Sequence, residues 1–268
     1  FLDVFVVGRV HAMIDTHCHL TFKDLYSNRA RVIADAVAAG VSRMITIACT
    51  PGEIETAMQV RREHPNVFVA AGIHPHEAGK VSDDDIRQLE SAWKAGGIVA
   101  AGEMGLDYHY NFSPHEQQQT VFRKQLDAAA PLNLPIIIHC REAHTDVVRL
   151  LSAQGYDHKR VVFHCFSGTA EEAMEIRDHG WRTSFTGIIT FKNAEGPRQA
   201  CSDTPIDQLM FETDAPYLSP EPVRKMRPNE PKNVAHTIRF AAEARGEPFD
   251  VLAATSTKNA GAFFALDA

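Results

Sequence analysis

The sequence contains no run of about 18 apolar residues, so no segment reads as a transmembrane helix. Cysteine is scarce: five in 268 residues, an odd count with no CxxC pair. That argues against a disulfide-stapled scaffold and for small buried thiols in a reducing compartment, so a cytoplasmic location is expected. Positive charge is in deficit, with 27 Lys and Arg against 34 Asp and Glu and a net charge of -7. This argues against a protein that coats nucleic acid through a general basic field, while leaving local phosphate contacts open. No G-x-G-x-x-G or GxxxxGK[ST] stretch follows any strand-like run, which removes dinucleotide and P-loop chemistry. Nor does any repeat or low-complexity segment interrupt the chain. Residues 1–7 are apolar, but they carry Asp3 and lack a basic start, a poor match to a secretory signal. Met13 opens the first patterned strand, so residues 1–12 are expected to be an extension or remnant before one domain spanning 13–268.

What is present is a regular alternation. Apolar, β-branched runs occur at 12–15, 43–48, 67–73, 98–103, 135–139, 160–164, 181–186 and 208–214. Helical patterns separate most of them, including 28–37, 82–94, 113–130 and 169–179, and helices at 229–245 and 249–264 close the chain. Near-continuous apolar strands alternating with helices imply a parallel sheet covered on both faces. Eight such units in about 250 residues predict a single (β/α)8 TIM barrel in preference to an open doubly wound sheet. The proline-rich stretch 215–231 reads as a long functional loop after the last strand.

His17 and His19 flank Cys18 just after the first apolar run. Side chains alternate across a strand, so both histidines point one way and Cys18 the other. Such a pair is weak evidence of a metal site when it stands by itself. However, His74, Glu103, His139, His164 and Asp214 fall at the ends of the third, fourth, fifth, sixth and eighth strands. In a barrel these positions share the C-terminal mouth. Any one of them reads as easily as a buried histidine or a capping carboxylate; their recurrence at strand ends is what points to metal. The imidazoles of His17, His19, His139 and His164 with the carboxylates of Glu103 and Asp214 exceed the needs of one open four-coordinate ion. They suit two divalent ions bridged by a carboxylate. Glu103 is the expected bridge, with His17, His19 and Asp214 on one ion and His139 and His164 on the other. Mixed imidazole and carboxylate ligands suit zinc, manganese or iron, whereas magnesium prefers oxygen.

The strings at 15–20 (DTHCHL), 72–76 (GIHPH), 102–108 (GEMGLDY), 139–143 (HCREA), 164–168 (HCFSG), 212–218 (ETDAPYL) and 227–231 (RPNEP) resemble the TatD family of metal-dependent deoxyribonucleases. The resemblance runs in order from about Met13 to the C-terminus. It implies an amidohydrolase-like barrel hydrolysing phosphodiesters with two divalent metals, usually described as magnesium or manganese. His17, His19, Glu103, His139, His164 and Asp214 match the family's metal ligands. His74 matches a pocket position near the substrate phosphate, and His76 beside it is a substrate-binding candidate that reads equally as a plain loop residue. Asp214 is the expected proton acceptor, with Glu103 and His74 the other expected catalytic groups. Arg141 and Arg227 are candidate phosphate clamps, because a guanidinium meets phosphate oxygens in bidentate fashion. Strand parity gives Glu212 and Asp15 supporting roles behind the ligands. Tyr108, Tyr110, Phe112, Phe166 and Tyr217 follow strands around the mouth, where bases could stack or a core could pack.

The expected function is thus 3′-5′ exonuclease action on single-stranded DNA ends, with RNA also open, by a monomer without membrane attachment. The same mouth could instead hydrolyse a small ester or amide, or an aminoacyl-tRNA, because fold does not decide substrate. From a different class comes a non-catalytic metal-binding scaffold, against which the intact ligand set argues.

Overall fold

In the computed structural model, residues 12–266 are described, so the expected N-terminal extension lies, apart from Ala12, outside the described residues. Met13 begins a strand whose six residues are all buried, and seven more strands follow. They are β1 (Met13–Cys18), β2 (Val41–Ala48), β3 (Val67–Ala71), β4 (Ile98–Asp107), β5 (Ile136–Arg141), β6 (Val161–Phe163), β7 (Arg182–Phe185) and β8 (Met210–Phe211). All neighbours pair parallel in sequence order. A bridge between Cys18 and Ala215 and bonds from His19 N to Ala215 O (2.7 Å) and Asp214 N to His17 O (2.9 Å) join the last strand to the first. The protein is a (β/α)8 barrel.

The helices are α1 (Lys23–Tyr26), α2 (Arg29–Ala38), α3 (Ile54–Glu63), α4 (Asp83–Ala95), α5 (His115–Ala129), α6 (His144–Ala153), α7 (Ala170–Asp178), α8 (Glu195–Asp203), α9 (Val234–Arg245) and α10 (Phe249–Phe264). Capping boxes start two of them, with Ser82 and Asp85 at α4 and Thr169 and Glu172 at α7. Each helix lays an apolar stripe on the outer face of the sheet, forming the larger core. The barrel lumen is a second core of Ile14, Ile45, Ile47, Ala70, Ala100, Ile137, Val162 and Met210, to which α10 adds Ala260, Phe263 and Phe264. Side chains therefore fill the barrel, and the polar cluster is left to the C-terminal mouth.

Several boundaries differ from the sequence pattern. Helix α8 was not anticipated; its Pro197 lies in the first turn, where a proline forfeits no helical hydrogen bond. Strand β4 runs on through Asp107, four residues beyond its apolar run. Strand β8 spans only two residues, and Glu212 continues its line through one bond to Phe185 O (3.0 Å). The expected helix at 229 starts at Val234, after a 3-10 turn opened by Pro231. Among the described residues no helix is long and apolar enough to cross a membrane. All five cysteines are free.

Candidate metal centre

Two strand irregularities aim the principal side chains into the mouth. In β1, Asp15 pairs with Met44 but Cys18 with Thr46, so one extra residue is absorbed between them. Ile14 lines the lumen and Cys18 the outer core, which leaves His17 and His19 inward. In β4, Ala101 pairs with Ile136 and Met104 with Ile138, another extra residue. Ala100 faces the lumen and Ala101 the outer core; uninterrupted alternation would send Glu103 outward. The bulge at Gly102 reverses that. Gly102 and Gly105 take φ of 133° and 144°, and a Cβ on either would collide with a β5 carbonyl, of Ile137 or of His139. The Gly-Glu-Met-Gly stretch is therefore the local code for an inward Glu103.

Glu103 is buried at the centre of the cluster. Its Oε2 is 3.2 Å from His17 Nε2. Its Oε1 lies 2.7 Å from His139 Nδ1, 2.7 Å from His164 Nε2 and 3.3 Å from His74 Nε2. On the His17 side, Asp214 Oδ1 is 3.2 Å from His19 Nε2 and 3.8 Å from His17 Nε2. Asp214 adopts φ 53°, a left-handed conformation that aspartate tolerates. Ligand atoms converge within 4.8 Å in four overlapping groups: His17 with His19 and Asp214; Glu103 with His139 and His164; His17 with His164 and Glu212; and His74 with His76 and His139.

The donor set fits a divalent cation. His17 Nδ1 is buried without a hydrogen-bond partner among the described residues and Nε2 has only Glu103 Oε2 at 3.2 Å, poorly aligned, an arrangement that costs free energy unless something else binds the ring. The rings of His17 and His164 stack face to face at 3.9 Å, so both cannot comfortably be protonated. Burial, reinforced by the charge of His164, lowers the pKa of His17. For His164 burial acts the same way, but Glu103 and then Glu212 outweigh it and hold the pKa well above the usual histidine value. His139 is likewise raised, its burial overcome by hydrogen bonds to Asp107 and Glu103. Burial would raise Glu103 as well, but the surrounding histidines, His164 first, hold it well below the usual carboxylate range. His74 is pushed down to about 4 by burial, hence neutral near pH 7.

The remaining expected site residues divide into those that join the cluster and those that do not. His76 sits in the turn after β3; its backbone N–H donates to His74 Nδ1 (3.1 Å), leaving the His74 proton on Nε2. Glu212 lies beneath His164, with Oε1 3.4 Å from His164 Nδ1 and 2.6 Å from Cys165 N. Thr16 and Ser184 hydroxyls donate to its Oε2 (2.9 and 2.6 Å). Asp15 meets no ligand side chain: it accepts from Thr213 N (2.9 Å), Thr213 Oγ1 (2.5 Å) and His17 N (3.3 Å), tying β1 to the Asp214 segment. Burial raises its carboxyl to about 8. Arg141 is exposed, its guanidinium 4.8 Å over the Tyr110 ring. Arg227 is also exposed and gives Nη1 to the carbonyls of Arg224 and Met226, within its own loop.

Sequence reasoning missed Asp107. Its Oδ2 accepts from His76 Nε2 (2.8 Å) and His139 Nε2 (3.0 Å), and its Oδ1 from the N–H groups of His109 and Tyr110 (3.0 and 2.9 Å). Asp107 thereby holds a proton on His139 Nε2, so Nδ1, which donates to Glu103 Oε1 at 2.7 Å, is the nitrogen that a cation would take on losing its proton. The signal that could have found it is parity, since Asp107 lies four residues beyond Glu103 on one strand. Cys49 was missed too; its Sγ lies 3.7 Å from His19 Nδ1, on the side of the ring away from Asp214.

Fold and site together define a class of protein: a (β/α)8 barrel whose C-terminal mouth carries a histidine–carboxylate cluster able to hold divalent cations. A family model described as TatD related DNase matches residues 14–265. The chain belongs to this family and is a metal-dependent hydrolase. It is 37% identical over 255 residues to the uncharacterized metal-dependent hydrolase YabD of Bacillus subtilis (strain 168), covering 95% of this chain and 100% of that protein. It is 36% identical over 259 residues to the 3′-5′ ssDNA/RNA exonuclease TatD of Erwinia amylovora, with 95% and 100% covered. Among solved structures, YJJV, a TatD homolog from Escherichia coli K12, superposes with a TM-score of 0.90 at 29% identity, covering 96% of this chain and 99% of that one.

Proposed function

We propose that this protein is a two-metal phosphodiester hydrolase that removes nucleotides from the 3′ end of single-stranded DNA or RNA. The observation that carries the reading is the division of Glu103: Oε2 meets His17 at 3.2 Å while Oε1 meets His139 and His164 at 2.7 Å each. A carboxylate so divided is suited to bridge two ions, one held also by His17, His19 and Asp214, the other by His139 and His164. The Erwinia amylovora relative, named a 3′-5′ ssDNA/RNA exonuclease, supports the substrate and polarity.

Divalent ions bound there, of magnesium, manganese, zinc or iron, would polarise a phosphate oxygen and acidify a water. The chain's own groups do the rest. Asp214 is the most accessible carboxylate of the cluster, its side chain 15% exposed against 3% for Glu103. Its burial is outweighed by the hydrogen bond from His19 and the charges of His17 and His164, so it stays ionised and accepts the proton of the attacking water. Neutral His74 directs its Nε2–H into the cluster, where it can donate to a phosphate or leaving oxygen. Asp107 and Glu212 hold the rings of His139 and His164 in place. Arg141 and Arg227, exposed at the mouth, are the candidate clamps for flanking phosphates.

The test is digestion of 5′-labelled single- and double-stranded oligonucleotides across a panel of divalent metals, with Asp214→Asn as the control. Stepwise shortening of the labelled single strand is expected, and Asp214→Asn should slow it by roughly 100-fold or more. Cleavage of a neutral ester with no shortening of any oligonucleotide would overturn the proposal.

A further inference from the structure

Few large hydrophobic side chains are exposed among the described residues: Val37, Tyr110, Phe112, Met174, Tyr217 and Val251. Val37, Met174 and Val251 lie singly on outer helices α2, α7 and α10, an ordinary occurrence. The aromatic ones all lie on loops at the mouth. Phe112 is 66% exposed and Tyr110 40%, and their rings stack on each other at 5.4 Å with 30° between planes. The guanidinium of Arg141 lies 4.8 Å over Tyr110. His76 meets both rings edge-on, 4.8 Å from Phe112 and 5.6 Å from Tyr110.

This pair is tied to the metal centre. Asp107 accepts the Tyr110 and His109 N–H groups on Oδ1 and the His139 and His76 rings on Oδ2, so one carboxylate sets both the loop and a ligand candidate. Ser113 pins the far end of the loop, its Oγ donating to His76 O (2.7 Å) and accepting from Gly79 N (2.8 Å). From Phe112 to His76 is 4.8 Å, and from His76 to His139 is 5.9 Å, ring centre to ring centre. The aromatic face thus lies a short reach from the cluster.

We infer that the Tyr110–Phe112 face is a stacking subsite for an unpaired nucleobase, that of the nucleotide adjoining the one whose phosphodiester enters the cluster, with Arg141 beside the intervening phosphate. The inference rests on the exonuclease reading above. Phe112 is too exposed to be core, and a pair of rings is too small for a protein interface. A flat π-face accepts any base, and a base is free to use it only when it is not already stacked in a duplex, so the subsite selects single strands without reading sequence.

Steady-state cleavage by metal-loaded Phe112→Ala and Tyr110→Ala tests this, using a single-stranded oligonucleotide and its counterpart made abasic at the position next to the 3′-terminal nucleotide. Loss of one stacking partner is expected to raise KM about 5- to 150-fold on the normal strand with kcat little changed. On the abasic strand the same variants should match the wild type, and Phe112→Trp should restore the normal KM. Equal KM increases on both strands, or none on either, overturn the subsite while leaving the exonuclease reading intact. If the wild type itself cleaves no oligonucleotide, that reading fails and the subsite falls with it.

Discussion

Replacing Asp107 by asparagine is expected to weaken divalent-metal binding about 10- to 100-fold, although Asp107 is not among the expected ligands. The carboxylate accepts four N–H groups: two imidazoles on Oδ2 and two backbone amides on Oδ1. An asparagine offers one oxygen, so either way its NH2 faces donors. With the NH2 turned to the rings, His139 must move its proton to Nδ1, the atom that now faces Glu103 at 2.7 Å and would bind metal. With the NH2 turned to the backbone, the loop carrying Tyr110 loses its anchor. Hydrogen bonds to a charged group contribute about 1.5–3 kcal/mol each. Retention of some of these bonds leaves an expected stability loss of about 2–4 kcal/mol in the metal-free protein. Competition with a chromophoric chelator measures the affinity, and urea denaturation the stability; Asp107→Ala should lose more of both. Wild-type affinity in a stably folded Asp107→Asn protein would refute the idea that this carboxylate sets His139.

Other consequences follow from the same geometry. His139 and His164 have raised pKa values, and a proton on a ligand nitrogen excludes metal. Affinity should therefore begin to fall at a pH above the ordinary histidine range and go on falling as pH drops, and binding at neutral pH should release protons; calorimetry in buffers of different ionisation enthalpy measures this, and a flat profile would contradict it. Asp214→Asn should lower kcat by roughly 100-fold or more while the melting temperature changes little, because the amide keeps the side chain's shape. Gly102→Ala should destabilise by well over about 1 kcal/mol, since it adds a Cβ against the Ile137 carbonyl at positive φ; a thermal melt decides. Chelation should lower the melting temperature, and divalent metal at 100 times its Kd should restore about 2.7 kcal/mol.

The barrel was readable because its strands are buried on both faces and so appear as apolar runs separated by helical patterns. The cluster was readable for a related reason: the chemistry sits at strand ends, where His17, His74, Glu103, His139, His164 and Asp214 interrupt those runs. What could not be read is how the side chains turn inward. Counting alternation from Ala100 sends Glu103 the wrong way, and only the bulge at Gly102, a feature of pairing between strands, reverses it. In β1 the extra residue likewise lies between Asp15 and Cys18, so Asp15 reaches the site through the His17 and Thr213 N–H groups and not through a ligand side chain. Asp107 escaped notice because β4 looked finished at Glu103: Gly105 breaks the apolar pattern, although the backbone ladder continues. Long-range support, such as Thr16 and Ser184 on Glu212, joins residues far apart in the chain and has no local signature.

The central claim is that Glu103 joins two cation sites, one with each of its oxygens. Metal content per chain, measured by mass spectrometry of the intact folded protein after reconstitution and removal of free ions, tests it most directly. Two divalent ions per wild-type chain are predicted, falling to one or none in Glu103→Ala. A single ion per wild-type chain, or two ions retained in Glu103→Ala, would contradict the claim.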